Sequence, residues 1–188
     1  MLKDLVIKNR SYRRFYQEEK VSEETLRELV GLARFSATGA NKQPLKFILS
    51  CDEYKNSIVF ECLKWAGYLT DWVGPEERER PSGYIVILED LDIRQVAGVD
   101  HGIAAQSILL GAVEKGLGGC MFGAIDKPKL KENLKIADNF EILLVVAIGK
   151  PKEEVVIDPV VDGEIKYWRD QDQVHHVPKR SLDDIIID

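Results

Sequence analysis

What this chain lacks narrows its class first. It has no Cys-x-x-Cys pair, and its three cysteines, Cys51, Cys62 and Cys120, are odd in number and far apart. That spacing argues against a disulfide framework and a zinc ribbon, and reads as reduced, mostly buried thiols in a cytosolic protein. No apolar run is long enough to cross a bilayer as a helix, since the longest, Ile142 to Ile148, is only strand-sized. The N-terminus, Met1 to Lys8, is charged and amphipathic, unlike the apolar core and small-residue cleavage site of a secretory signal. There is no broad positive field either. The formal charge is −6 and basic residues are interspersed with acidic ones, so neither nucleic acid nor an anionic membrane is an expected partner. Histidine is scarce. His175 and His176 are adjacent, and on an extended segment they face opposite ways, while His101 stands alone, so no metal site is expected. No internal repeat or low-complexity tract is present.

What is there suits one compact unit. With 188 residues, about 45% of them apolar, the chain can bury one good core and has little reason to split, so a single domain over 1–188 is expected. Residues 2 to 8 read as a short helix. Ser22-Glu23-Glu24-Thr25 reads as a helix start with Ser22 as N-cap, and Leu26, Leu29, Val30 and Ala33 share one face of that helix. Phe47 to Cys51 and Tyr84 to Leu88 read as strands, with residues 54–73 mostly helical between them. From Asp100 to Val113 the pattern is helical and apolar on most sides, which places it in a core or a subunit interface. Lys115-Gly116 ends it as a left-handed cap, and Gly118-Gly119 allow close backbone approach. Cys120 to Gly123 read as a short strand, Lys127 to Leu134 as a small helix, and residues 142–148 as the most apolar strand. Beyond 151 the chain turns polar without core periodicity, so a tail of about 152–188 is expected to wrap another surface, such as a second subunit.

Two segments carry chemistry. Asn9 to Phe15 gathers Arg10, Ser11, Arg13 and Arg14 in one turn, and a guanidinium is a planar, permanently charged fork matched to phosphate. Ser36 to Pro44 offers the Thr38 hydroxyl, Gly39, and the amides of Asn41 and Gln43, which suit a ring edge of alternating carbonyls and nitrogens. Together they fit a planar anionic ligand. Cys120 has no apparent paired base and reads as packing rather than as a nucleophile. Trp65, Tyr68 and Trp72 have a spacing that favours core over a substrate pocket.

These segments gain a further meaning from their order. Arg10-Ser11-x-Arg13-Arg14-Phe15, Thr38-x-x-Asn41-x-Gln43-Pro44, Gly116-Leu117-Gly118-Gly119-Cys120, Ala147-Ile148-Gly149-Lys150-Pro151 and Lys179-Arg180-Ser181-Leu182 resemble the ordered signature of the nitroreductase family. The resemblance runs almost from end to end. It implies an α+β fold, a three-layer α/β/α sandwich with a mainly antiparallel central sheet, dimeric with an exchanged C-terminal arm. It also implies FMN as cofactor and NADH or NADPH as reductant.

Carried onto matching positions, the resemblance places Arg10 and Ser11 at the FMN phosphate or ribityl chain and Arg13 at the pyrimidine edge, with Arg14 available to the phosphate. Thr38, Asn41 and Gln43 would lie against the ring from the opposite subunit. The backbone of Gly119, Cys120, Met121 and Gly123 would run along the ring, and Lys179 and Arg180 would complete the phosphate site. The chain departs from the family at Ala37-Thr38, where proline and serine are usual, at Leu45, where tryptophan is frequent, and at Asn9, where a second basic residue is common. The implied activity is a ping-pong NAD(P)H oxidoreductase acting on nitroaromatics, quinones or another electron-poor acceptor, as a cytoplasmic homodimer with FMN at the subunit interface. The alternatives are an FMN-storing or sensing module without turnover, and a specialised flavin dehydrogenase or dehalogenase on the same scaffold.

Overall fold

The structure is a computed structural model and describes residues 1–95 and 98–187. Its centre is one long strand. β5 (Phe140–Pro151) pairs antiparallel with β3 (Gly83–Asp90) along one edge and with β4 (Gly118–Phe122) along the other, and its last residues pair antiparallel with β1 (Phe15–Tyr16). β2 (Leu45–Ser50) pairs antiparallel with β3 and ends the sheet on that side. Every residue of β3 is buried. Its side chains alternate between two cores, as the two-residue period of a strand requires. Tyr84, Val86 and Leu88 join Val59, Trp65, Phe122 and Leu130 on one face, while Ile85 and Ile87 join Leu26, Leu29, Ala105, Ile108 and Leu109 on the other.

The helices cover those faces. α2 (Glu23–Arg34) begins at Ser22, whose Oγ accepts from the Thr25 amide at 3.1 Å, and buries Leu26, Leu29 and Ala33. α4 (Asp100–Glu114) packs on α2 across the same core and ends in a Schellman cap. There the Leu117 amide donates to Ala112 O at 2.8 Å and the Gly116 amide to Val113 O at 3.0 Å, with Gly116 at φ 70°. α3 (Glu53–Phe60) and α5 (Lys127–Asn133) belong to the opposite layer. Thus three layers, α/β/α, enclose an antiparallel sheet. α1 (Leu2–Lys8) stands at the margin with no buried residue. No described helix is long and apolar enough to cross a membrane.

Two expectations need correction. Helix does not continue through residues 54–73: α3 stops at Phe60 because the following backbone finds partners elsewhere. Lys64 N donates to Ala124 O at 3.1 Å, Asp126 N to Cys62 O at 2.8 Å, and Leu63 bridges Ile125. The tail is also more ordered than its composition suggests. β6 (Val155–Pro159) pairs parallel with β8 (His175–Lys179), and β7 (Trp168–Arg169) pairs antiparallel with β8. This small sheet packs on its own chain, with Tyr167 against Tyr68 at 4.9 Å between ring centroids and Arg169 over Trp72 at 4.3 Å. The apolar residues Leu182, Ile185, Ile186 and Ile187 beyond it remain exposed.

Candidate functional site

The arginine turn is fixed from both sides. Ser11 forms a parallel bridge with Gly119 of β4, and the Tyr12 amide donates to Gly119 O at 3.0 Å. Gly119 is glycine for a steric reason, since a Cβ there would lie 2.3 Å from Ala147 O and 2.6 Å from Leu109 Cδ2. The close approach expected at this position is therefore to β5 and α4. From the other side Glu153 closes the turn: its Oε1 accepts from the Arg13 amide and, at 3.2 Å, from the Arg14 amide. Its Oε2 accepts from Arg169 Nη2 at 2.8 Å, in an ion pair whose side chains are almost wholly buried.

From Arg13 to Phe15 successive side chains diverge. Arg13 and Phe15 turn inward and are buried. Arg14 turns away, and its Nε and Nη2 each donate to a Glu79 oxygen at 2.6 Å. That bidentate hold, helped by Lys152, lowers the Glu79 carboxyl to about 2.

Among the described residues the Arg13 guanidinium meets no carboxylate. Nη1 donates to Ser11 O at 3.2 Å and lies 3.0 Å from His175 Nε2, while Cζ sits 4.5 Å from the Tyr167 ring centroid. Beside it opens a cavity of about 290 Å³, walled by Asn9, Arg10, Ser11, Gln106, Met121 and Lys179 together with Gly119, Tyr167 and His175. Arg10 Nη2 donates to Val6 O at 2.9 Å, but its Nε is buried without a partner. Among the described residues none of Arg10, Arg13 and Lys179 forms an ion pair. The cavity wall is therefore cationic, and Arg10 Nε is a buried donor left without a partner among the described residues.

The structure thus brings Arg10, Ser11, Arg13, Gly119, Met121 and Lys179 together. Cys120 is adjacent but buried, and burial pushes its thiol up despite Arg13 and Ser11 nearby, so it stays a neutral packing group. Gly123 and Arg180 are exposed and outside the cavity wall. Thr38, Asn41 and Gln43 lie elsewhere. Their segment holds a single 3-10 turn, Gly39–Asn41, with Ala40, Asn41 and Gln43 at φ of 52°, 53° and 52°. Asp100 accepts from the Gly39 amide at 3.0 Å, and the Thr38 hydroxyl accepts from the Gln43 amide at 3.3 Å. Thr38 and Gln43 instead line a wide cleft of about 900 Å³ between α2 and β2.

Several wall residues carry little signal in the sequence. Asn9 and Gln106 are joined at 3.3 Å, and the only sign of Gln106 is an amide within the small, apolar run of α4. His175 faces inward and His176 outward, as adjacent residues on a strand must. His176 lies 2.9 Å from Asp158 and 3.3 Å from Asp170, and these two carboxylates raise its pKa. Among the described residues no group of three or more His, Cys, Asp or Glu is placed to hold a metal ion.

The same architecture recurs in known proteins. The model of the nitroreductase family matches residues 7–62 and 79–150. A protein of Archaeoglobus fulgidus, provisionally named an NADH dehydrogenase/NAD(P)H nitroreductase, is 25% identical over 149 residues, covering 75% of this chain and 80% of that one. A nitroreductase family protein of Clostridium novyi NT superposes with a TM-score of 0.67 at 24% identity, over 81% of this chain and 86% of that chain. The nitroreductase family protein of Streptococcus pneumoniae TIGR4 reaches a TM-score of 0.72 at 16% identity, over 86% and 96% of the two chains. An FMN-dependent nitroreductase of Clostridium difficile R20291 gives 0.66 at 24% identity, over 80% and 87%.

Proposed function

This chain belongs to the nitroreductase family, and from that premise we propose that it is an FMN-dependent oxidoreductase drawing electrons from NADH or NADPH. The observation that carries the reading is the environment of Arg13, a buried guanidinium whose partners among the described residues are all neutral, on a cavity whose other cations also form no ion pair among those residues. Burying a cation without an anion is costly, and a bound anion offsets that cost. The residues fit FMN. Arg10, Ser11 and Lys179 would hold its phosphate end, with Arg180 close by in sequence, and the orphaned Arg10 Nε is a donor of the kind a phosphate oxygen takes. Arg13 would face the pyrimidine end, and the backbone from Gly119 to Gly123 would border the ring. Arg14 is committed to Glu79 and serves the scaffold instead.

Bound FMN would supply two-electron redox chemistry between NADH or NADPH and a nitroaromatic, quinone or other electron-poor acceptor, in the proposed ping-pong cycle. The chain's part is binding and field. Arg13 would hold its positive charge toward the pyrimidine end of bound FMN and would favour the two-electron chemistry there by the logic of an oxyanion site.

A homodimer completes the proposal. α1 exposes Leu2, Val6 and Ile7, and Leu32 and Phe35 at the end of α2 are also exposed beside an apolar groove formed with Leu5 and Leu110. Such a contiguous apolar face fits a second copy. Thr38, Asn41 and Gln43, remote from the cavity in their own chain, would then serve the partner's flavin. The exposed apolar end after residue 181 would be the exchanged part of the arm, narrower than the whole of 152–188. Three free thiols are compatible with a cytoplasmic setting. The test is direct: the protein should purify yellow, release FMN on denaturation, bleach with NADH or NADPH and recolour with a quinone. A protein that stays colourless and cannot be reconstituted overturns the reading, and one that binds FMN without NAD(P)H turnover points to storage or sensing.

A further inference from the structure

The tail supplies an unusual partner to the buried arginine. His175 is wholly buried on β8, and its Nε2 lies 3.0 Å from Arg13 Nη1. A guanidinium can only donate, so Nε2 must present its lone pair and the proton must sit on Nδ1. His175 Nδ1 has no partner among the described residues, so no acceptor there stabilises a doubly protonated ring. Burial, reinforced by the charges of Arg13 and Arg169, lowers the imidazole pKa to about 4. The ring is therefore neutral under ordinary conditions.

The local division of partners is selective. Two arginines approach this point from different elements, and one buried carboxylate, Glu153, lies between them. Glu153 spends its oxygens on the Arg169 guanidinium and on the Arg13 and Arg14 amides. Arg13 is left a carbonyl, an aromatic face and an imidazole, which orient a cation without cancelling it.

We infer that His175 is a positioning residue for the flavin site: it fixes the Arg13 guanidinium against the cavity as a neutral acceptor, so that the full charge remains for the pyrimidine end of the ring. The inference rests on the FMN reading above. A carboxylate at position 175 would hold Arg13 equally well and neutralise it. An apolar side chain would leave the charge but release its orientation.

Three substitutions separate these effects, His175→Gln, His175→Leu and His175→Glu. Each is followed by FMN fluorescence titration, by the midpoint potential of bound flavin, and by thermal melting of the FMN-free protein. His175→Leu should weaken FMN binding about tenfold, the equivalent of losing about one charge-assisted hydrogen bond, and lower the potential. His175→Gln, which can still accept, should restore both affinity and potential. His175→Glu should hold the lowest potential of the set, because its anion cancels the charge. The Gln and Glu variants are nearly isosteric, so their difference in potential reads charge alone even if His175→Leu fails to fold. Equal potentials in Gln and Glu variants, or FMN affinities that merely follow melting temperature across the set, would overturn the inference. Wild-type protein that binds no FMN would overturn the underlying reading instead, and this inference with it.

Discussion

Arg13 and Arg14 are identical side chains one residue apart, and the turn that carries them sends one to the cavity and the other to Glu79. Their substitutions should therefore separate cleanly. Arg13→Ala should weaken FMN binding roughly 10- to 100-fold, the range for losing one or two hydrogen bonds to a charged group, as read by fluorescence titration. Arg14→Ala should leave FMN affinity unchanged and cost about 1–2 kcal/mol of stability in a denaturant titration, as a partly buried bidentate pair is lost. The pair also has a pH signature. Glu79 is held at about 2 in the folded chain, below its ordinary value, so its stabilisation is present above about 4.5 and is lost as pH falls toward 2. Acid melting curves of Arg14→Ala should show a shallower fall across that window. Sequence could not choose between the two arginines, because the choice depends on Glu79 and Glu153, 65 and 139 positions away from Arg14.

The strand β8 places two adjacent histidines in opposite chemical states. His175 is kept neutral by burial, whereas His176 is raised by Asp158 and Asp170 and stacks on Trp168 at 4.7 Å. Their linkages have opposite signs. A depressed His175 means the unfolded chain binds more protons, so stability is lost as pH falls from about 6.5 toward 4. A raised His176 gives stability that is complete below about 6.5 and is lost as pH rises through its folded pKa. Stability of the tail sheet, followed by Trp168 fluorescence or hydrogen exchange, should therefore peak near pH 6.5. His176→Gln should flatten the alkaline limb and His175→Gln the acid one.

Which elements were legible depended on whether their signals were local. The Ser22 cap and the 3.6-residue spacing of Leu26, Leu29 and Ala33 act within one helix, and α2 appears where they point. Gly116 likewise ends α4 by its own conformation. The segment after Phe60 could not be read in this way, because its hydrogen bonds go to residues 124–126. The tail sheet was hidden for the same reason: β6 and β8 are a parallel pair of distant segments, each half polar.

Across the whole molecule, the cores are complete but one side is not. Two apolar clusters are sealed around β3, while α1 and the end of α2 leave Leu2, Val6, Ile7 and Phe35 in solvent. On the proposed dimer, Val6→Glu should shift the protein toward monomer in sedimentation velocity. It should also lower FMN affinity, because the Thr38 to Pro44 loop would no longer reach the neighbouring ring. An unchanged sedimentation coefficient would place the partner surface elsewhere. The family was visible in the order of five short motifs, whereas the cavity was only half visible. Arg10, Ser11, Arg13 and Lys179 were named from sequence, but Asn9, Gln106, Tyr167 and His175 join them through folding. The central claim is that this cationic cavity takes FMN. Titrating FMN-free protein with FMN while monitoring flavin fluorescence tests it most directly: the account predicts saturable binding at one flavin per chain, sharply weakened by Arg13→Ala. Absence of binding, or binding indifferent to Arg13→Ala, would contradict it.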